Sequence, residues 1–379
     1  MREIGLYIHI PFCKQKCAYC DFVSFEGRNT ERDEYIAALV GELESWHNPL
    51  KDYQVQTVFF GGGTPSLLSI PQLDFILEGI HRYFKLKASP EITIEANPGT
   101  LDKEKLTYYR QSGINRLSIG LQAWQDELLR TLGRIHTRKE FLENYYAARD
   151  AGFENISVDL MFGLPNQCFQ DWKETLQQVL YLKPDHISTY SLKVEEGTPF
   201  DRLYEQGKLI LPDEELERAM YHYTITVLAQ HDYRHYEISN FALNGKESIH
   251  NKIYWKNEEY IGIGVGSHSS FNKVRFSNTA DINKYRELIE SQKNPMVEQE
   301  KISIEEEMSE TMFLGLRMMA GIDLDRFQRR YQVDAREKYE KQITDFIKQG
   351  LLTMAGDKLR LTQRGIDVSN RVFASFLPE

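Results

Sequence analysis

Three cysteines, Cys13, Cys17 and Cys20, form a Cys-x3-Cys-x2-Cys run just after a short apolar segment, Ile4 to Ile10. Three thiolates on one tight loop suit three irons of a cubane iron-sulfur cluster and leave the fourth iron open to an exchangeable ligand. Zinc is the main competitor. A structural zinc normally takes four ligands in pairs, and the remaining cysteine, Cys168, lies far along the chain. His9 could complete such a site, but its place inside the apolar segment makes the geometry awkward. A disulfide scaffold fits less well, because four cysteines cannot staple 379 residues. The spacing favours a cluster. Cys168 reads as a buried, inert thiol.

The elements that must position this loop alternate in type. Strand candidates rich in β-branched residues are Ile4 to Ile10, Val55 to Phe60, Glu91 to Glu95, Arg116 to Gly120, Ile156 to Met161 and His186 to Leu192. Segments of helical period separate them, among them Glu31 to Trp46, Ile70 to Phe84 and Lys103 to Ser112. Such alternation predicts parallel strands with helical crossovers. Six units before Glu195 are too few for an eight-stranded barrel, so an α/β open partial barrel or doubly wound sheet is expected. Ligands of these folds sit where the strands' carboxyl ends meet the loops. The cysteines follow the first strand, Gly61-Gly62-Gly63-Thr64-Pro65 the second, Asn97-Pro98 the third, Gln122 the fourth and Gly163-Leu164-Pro165 the fifth. These motifs are expected to converge on one mouth.

Beyond Glu195 a long helix, Asp213 to Gln230, carries Leu216, Met220, Tyr223 and Val227 at core spacing. A β-rich stretch, Tyr233 to Phe276, follows. Gly262-Ile263-Gly264-Val265-Gly266 within it misses the dinucleotide fingerprint and reads as tight backbone packing. The charged segment Glu290 to Glu300 reads as a linker. Helices are then expected over Glu305 to Met319, Asp323 to Tyr331 and Arg336 to Gln349, with a hairpin over Leu351 to Thr362 turning at Gly356-Asp357 and a last helix. That order suggests a winged-helix-like α+β module. Its basic and acidic residues balance, so packing or protein docking is favoured over DNA binding.

The formal net charge of −10 argues against a sequence-independent grip on nucleic-acid phosphates. No apolar run has the length of a membrane span. Nothing at the N-terminus resembles an export signal, and oxygen-sensitive thiolates favour a reducing interior, so the cytoplasm is expected.

The cysteine loop with Gly61 to Pro65 resembles the radical S-adenosylmethionine (SAM) superfamily. Tyr7-Ile8-His9-Ile10-Pro11-Phe12-Cys13 and Phe60-Gly61-Gly62-Gly63-Thr64-Pro65-Ser66 are similar to the oxygen-independent coproporphyrinogen oxidase group within it. The resemblance implies a partial (β/α)6 TIM-like barrel over 1–195, an extension over 196–295 and a C-terminal winged-helix-like domain over 296–379. It implies a [4Fe-4S] cluster on Cys13, Cys17 and Cys20. It also implies SAM contacts at Tyr7, Gly61, Gly62, Gly63, Thr64, Glu95, Gln122, Arg134 and Asp159. The glycines permit close backbone approach, and a guanidinium such as that of Arg134 grips a carboxylate bidentately. The oxidase carries a fourth cysteine two residues past the third and a long N-terminal extension. This chain has Phe22 there, and twelve residues precede Cys13.

His250-Asn251-Lys252-Ile253-Tyr254-Trp255 resembles the His-Asn-x-x-Tyr-Trp motif of the HemW heme-chaperone family. By that resemblance His250 is the heme ligand, with Tyr254 and Trp255 as stacking residues. A lone histidine beside aromatics is otherwise a hydrogen-bonded core residue. The reading favoured is a protein that binds cluster, SAM and heme and passes heme to an acceptor, served by an electron donor, as monomer or homodimer. No catalytic acid or base is singled out. The alternatives are anaerobic oxidative decarboxylation of coproporphyrinogen III and a metal-binding scaffold without SAM chemistry.

Overall fold

The computed structural model describes residues 1–378. Six parallel strands, β1 (Arg2–Ile10), β2 (Tyr53–Gly62), β3 (Leu86–Ala96), β4 (Arg116–Gln122), β5 (Ile156–Phe162) and β6 (His186–Ser191), lie side by side in chain order. Period-two patterning divides each strand between two environments. Ile4, Leu6, Ile8 and Ile10 of β1, and Leu117, Ile119 and Leu121 of β4, are fully buried in the main core, together with Tyr35, Leu39, Leu73 and Ile76 of the first two helices. The alternate positions, Tyr7 and His9 on β1 and Arg116 and Ser118 on β4, face a central cavity. The apolar face therefore holds the fold, and the polar face lines the lumen.

The sheet has twelve strands in a linear order with two free ends, so the barrel is open. Beyond β6 come β8 (Asn240–Ala242) and β7 (Arg234–Glu237), both antiparallel. Beside β1 lies β9 (Tyr260–Ile263), a seventh parallel strand, followed by antiparallel β10 (His268–Phe271), β11 (Val274–Asn278) and β12 (Met296–Lys301). The segment read as a linker thus ends in an edge strand. Its residues are almost all exposed, so its stability comes from backbone pairing with β11 and leaves no hydrophobic period to read.

The β-rich stretch is interrupted by a short helix, Ile249–Trp255, which carries the His-Asn-x-x-Tyr-Trp residues. Ser248 caps it by accepting from the Asn251 N–H, and Glu91 accepts from the N–H groups of Ile249 and His250 at 2.9 Å each. The C-terminal residues form a separate core, Met308 to Phe376, around a three-stranded sheet of Ile322–Asp323, Leu352–Ala355 and Lys358–Leu361. The helix expected over Arg336 to Gln349 is broken at Tyr339, whose backbone leaves helical geometry (φ −113°, ψ 28°) while its ring packs edge-on against Phe376. The last helix is likewise split, into Gln363–Asp367 and Ser369–Ala374. Cys168 is exposed, not buried, because it occupies the N-cap of the helix Phe169–Leu182 at the surface.

The glycine run after β9 packs as expected of close backbone approach. A Cβ on Gly264 (φ +106°) would lie 2.5 Å from the Tyr35 hydroxyl, and the Gly264 N–H donates to the buried Glu42 carboxylate at 2.8 Å. Tyr285 Oη (2.6 Å) and Asn278 Nδ2 (2.7 Å) also donate to Glu42. Burial nonetheless outweighs these bonds and pushes the Glu42 pKa up to about 7. A carboxyl whose folded pKa is raised stabilises most below its unfolded pKa and loses that contribution as pH rises through the folded value. Stability should fall by about 3 kcal/mol from this group between pH 4.5 and 8. Urea unfolding of wild type and Glu42→Gln across that range checks this, and the variant should lose the slope even if its overall stability is offset.

Candidate functional site

The cysteine loop is closed by a short parallel pairing of Phe12–Cys13 with Phe25–Glu26 and by the Ala18 N–H bonding to the Leu132 carbonyl at 3.0 Å. Cys13, Cys17 and Cys20 are all free thiols and line one cavity of about 320 Å³ with Gly62, Gly63, Thr64, Glu95, Gln122, Arg134 and Asp159. Residues that the sequence scatters over almost 150 positions therefore meet at the carboxyl ends of the strands. Gly61 lies just behind the wall, where a Cβ would come within 3.2 Å of Glu95 Oε2 and 3.0 Å of the Tyr7 ring. At Gly63 a Cβ would stand 3.0 Å from Cys13 Sγ and 2.8 Å from the Phe12 carbonyl, so only glycine lets this turn lie against the cysteine loop.

Thr64 Oγ1 bonds to Cys13 Sγ at 3.7 Å and accepts from Asn97 Nδ2 at 2.9 Å. Asn97 Oδ1 in turn accepts from Arg134 Nη2 at 2.6 Å, and Arg134 Nη1 reaches Cys17 Sγ at 3.6 Å. Arg134 Nε is buried with no hydrogen-bond partner. Burial pushes the Cys13 and Cys20 thiols above their ordinary range, so a metal must displace protons to bind them. Free thiols, a glycine cradle and an unsatisfied guanidinium nitrogen fit a thiolate-held cluster beside a carboxylate-bearing ligand. Gln122 reaches this wall through a bulge at Gly120/Gln122 that leaves it at φ +70° and re-aims its side chain.

Asp159 accepts hydroxyl bonds from Ser188 (2.7 Å), Ser118 (2.8 Å) and Ser157 (3.2 Å). Glu95 is half-buried in the lumen wall. Burial first, and the Asp159 charge second, push its pKa to about 8, so at neutral pH it carries a proton and can donate. The pair can therefore offer an acceptor and a donor to vicinal hydroxyls.

Glu95, Asp159, Gly62, Phe22 and Tyr190 border a second, larger cavity of about 760 Å³. Tyr7 lines this one, not the cysteine cavity, and bonds to His9 Nδ1 at 3.0 Å. His250 is at its floor, hydrogen-bonded through Nδ1 to Thr57 Oγ1 and through Nε2 to Tyr254 Oη, each at 2.8 Å. Thr57 stands four residues before Gly61, about 13 Å lower along β2. Burial, with the Arg116 charge adding to it, lowers the His250 pKa to about 3, so the ring is neutral at physiological pH. Phe59 stacks on it with centroids 5.0 Å apart. Tyr254 meets the His250 ring edge-on, and one face of Trp255 is covered by the Arg317 guanidinium at 4.3 Å. Arg317 lies just beyond the helix Ile304–Gly315, so the C-terminal module touches this site directly.

Three contributors escaped sequence reasoning: the serines around Asp159, Thr57 and Arg116; Asn97 belongs to a motif expected at the mouth and does line the cysteine cavity. The signal for Arg116 and Ser118 was present. Arg116, Ser118, Gly120 and Gln122 alternate along β4, the pattern of a strand with one polar face turned inward. Thr57 was identifiable only through its tertiary pairing with His250.

Residues 7–179 match the Radical SAM superfamily, and residues 302–368 match the HemN C-terminal domain. The heme chaperone HemW of Bacillus subtilis is 39% identical over 98% of this chain and 99% of its own length. HemW of Lactococcus lactis is 37% identical, covering 98% and 96%. The mouse mitochondrial radical S-adenosyl methionine domain-containing protein 1 is 34% identical, covering 99% and 87%. Among solved structures, the Escherichia coli radical SAM enzyme coproporphyrinogen III oxidase (HemN) superposes with a TM-score of 0.87, covering 99% of this chain and 90% of its own. Sequence identity to that structure is 22%, a likeness of fold.

Proposed function

The chain belongs to the HemW family of heme chaperones in the radical SAM superfamily, and on that premise we propose that it binds a [4Fe-4S] cluster, SAM and heme and delivers the heme to an acceptor protein. Cys13, Cys17 and Cys20 hold the cluster. Arg134 and Gln122 grip the methionyl carboxylate of SAM, Gly61 to Thr64 let backbone groups approach it, and Glu95 and Asp159 hold its ribose hydroxyls. Tyr7 closes this site from the side of the larger cavity. When bound, cluster and SAM supply one-electron cleavage of the sulfonium carbon bond. Heme is the cargo. An electron donor and an acceptor protein complete the system, in a reducing compartment.

One observation supports the chaperone reading most: the lumen joins the thiol-lined cavity to a larger, aromatic-lined one with a neutral histidine at its floor. A neutral imidazole is a ready ligand for heme iron. Thr57 fixes the ring through Nδ1, which leaves Nε2 for the metal once the Tyr254 hydroxyl swings aside. Titration of the purified protein with heme tests the reading. Saturation near one heme per chain, with the absorption of a histidine-ligated iron, is expected. Uptake that never saturates, as in surface adsorption, would overturn it.

A further inference from the structure

Arg116 is 2% exposed and faces the larger cavity from β4. Its Nε is buried without a partner, and among the described residues its guanidinium has no hydrogen bond and no ion pair. That is unusual, because buried charges are ordinarily paired. The carboxyls around it are committed elsewhere. Glu91 serves the backbone of Ile249 and His250, Asp159 serves three serines, and Glu95, with no hydrogen bond to Arg116, is held protonated at neutral pH by burial and the Asp159 charge, which outweigh the opposing pull of the Arg116 charge. The cavity's other arginine, Arg275, is held bidentately by Glu310 at 2.5 and 3.1 Å. An unpaired cation on the wall of a cavity this size is placed to receive an anion from the cavity's ligand.

We propose that Arg116 is the anion anchor of the larger cavity and takes a carboxylate of the bound macrocycle, a heme propionate, while His250 takes the metal. This rests on the heme reading above and adds a second, chemically distinct point of recognition to it. A flat ligand held only through its iron can rotate about that bond. A carboxylate pinned by a guanidinium fixes its azimuth.

The test compares heme with its dimethyl ester, in which both propionates have lost their charge, in absorbance titrations of wild type, Arg116→Gln and Arg116→Lys. Wild type should prefer heme by about tenfold or more, the scale of a charge-assisted bond. Arg116→Gln should lose that preference by weakening heme alone, and Arg116→Lys should keep part of it. Thermal unfolding of ligand-free Arg116→Gln should occur at the same or a higher temperature than wild type, since an unpaired buried cation has been removed. Equal weakening of both forms, an undiminished preference for heme, or a lower unfolding temperature would make Arg116 a structural residue and overturn the proposal. Loss of SAM affinity instead would also overturn it, by assigning the arginine to the other cavity. Wild type taking up neither form would sink the heme reading itself, a result distinct from these, and the proposal with it.

Discussion

Iron and acid-labile sulfide are expected to fall from about four of each per chain to background when Cys17 is replaced by serine and the protein is reconstituted without oxygen. The expected loss is total because three thiolates are the whole protein contribution, and two ligands do not hold a cubane against competing thiols in solution. On the proposed function, SAM binding should weaken with it, since the cluster would form part of the SAM site. The fold should not change. Cys17 is half-buried on a surface loop, and its thiol makes only weak polar contacts, with Arg134 at 3.6 Å and with the Tyr19 side chain. Unfolding free energy should stay within about 0.5 kcal/mol of wild type. Iron content unaltered by the substitution would contradict the cluster assignment and revive a metal scaffold of another kind.

The second large effect is at His250. Replacing it by alanine removes the proposed iron ligand and leaves the Thr57 and Tyr254 hydroxyls facing an unfilled space. Folding stability should drop by about 1–3 kcal/mol from those unpaired groups. Heme affinity should fall by about thirtyfold or more, equivalent to about 2 kcal/mol, and the absorption of the histidine-bound iron should vanish. Exogenous imidazole should restore it. Tyr254→Phe should act in the opposite direction. Nε2 is then free before heme arrives, and relief of one hydrogen bond of about 1 kcal/mol should tighten binding about fivefold. An unchanged heme spectrum in His250→Ala would remove the ligand assignment while leaving heme carriage in place.

Most of the parallel strands could be read from the sequence because they are apolar on their outward face over several residues, as in Ile4, Leu6, Ile8 and Ile10. Their carboxyl-end motifs could therefore be expected to gather, and the cysteines, Gly62 to Thr64, Glu95, Gln122, Arg134 and Asp159 do line one cavity. What escaped depends on pairing that no local pattern records. Met296–Lys301 looks like a linker because an edge strand held by backbone bonds needs no buried side chains. Cys168 looks buried by residue type, yet a helix N-cap puts it at the surface. The Tyr339 break answers to an aromatic contact with Phe376, a residue 37 positions away. Thr57 meets His250 across 193 positions, through a helix tucked beneath the sheet's lumen. Trp255 reads as a free aromatic platform until Arg317 is found covering one face.

The central claim is that this lumen carries heme and does not chiefly oxidise a porphyrinogen. It is tested most directly by supplying the anaerobically reconstituted protein with SAM, a one-electron reductant and coproporphyrinogen III, and measuring decarboxylated product against the cluster-free Cys17→Ser protein. Product no greater than in that control, from a preparation that also binds heme near one per chain, is the result predicted. Robust turnover by a preparation that does not retain heme would contradict it.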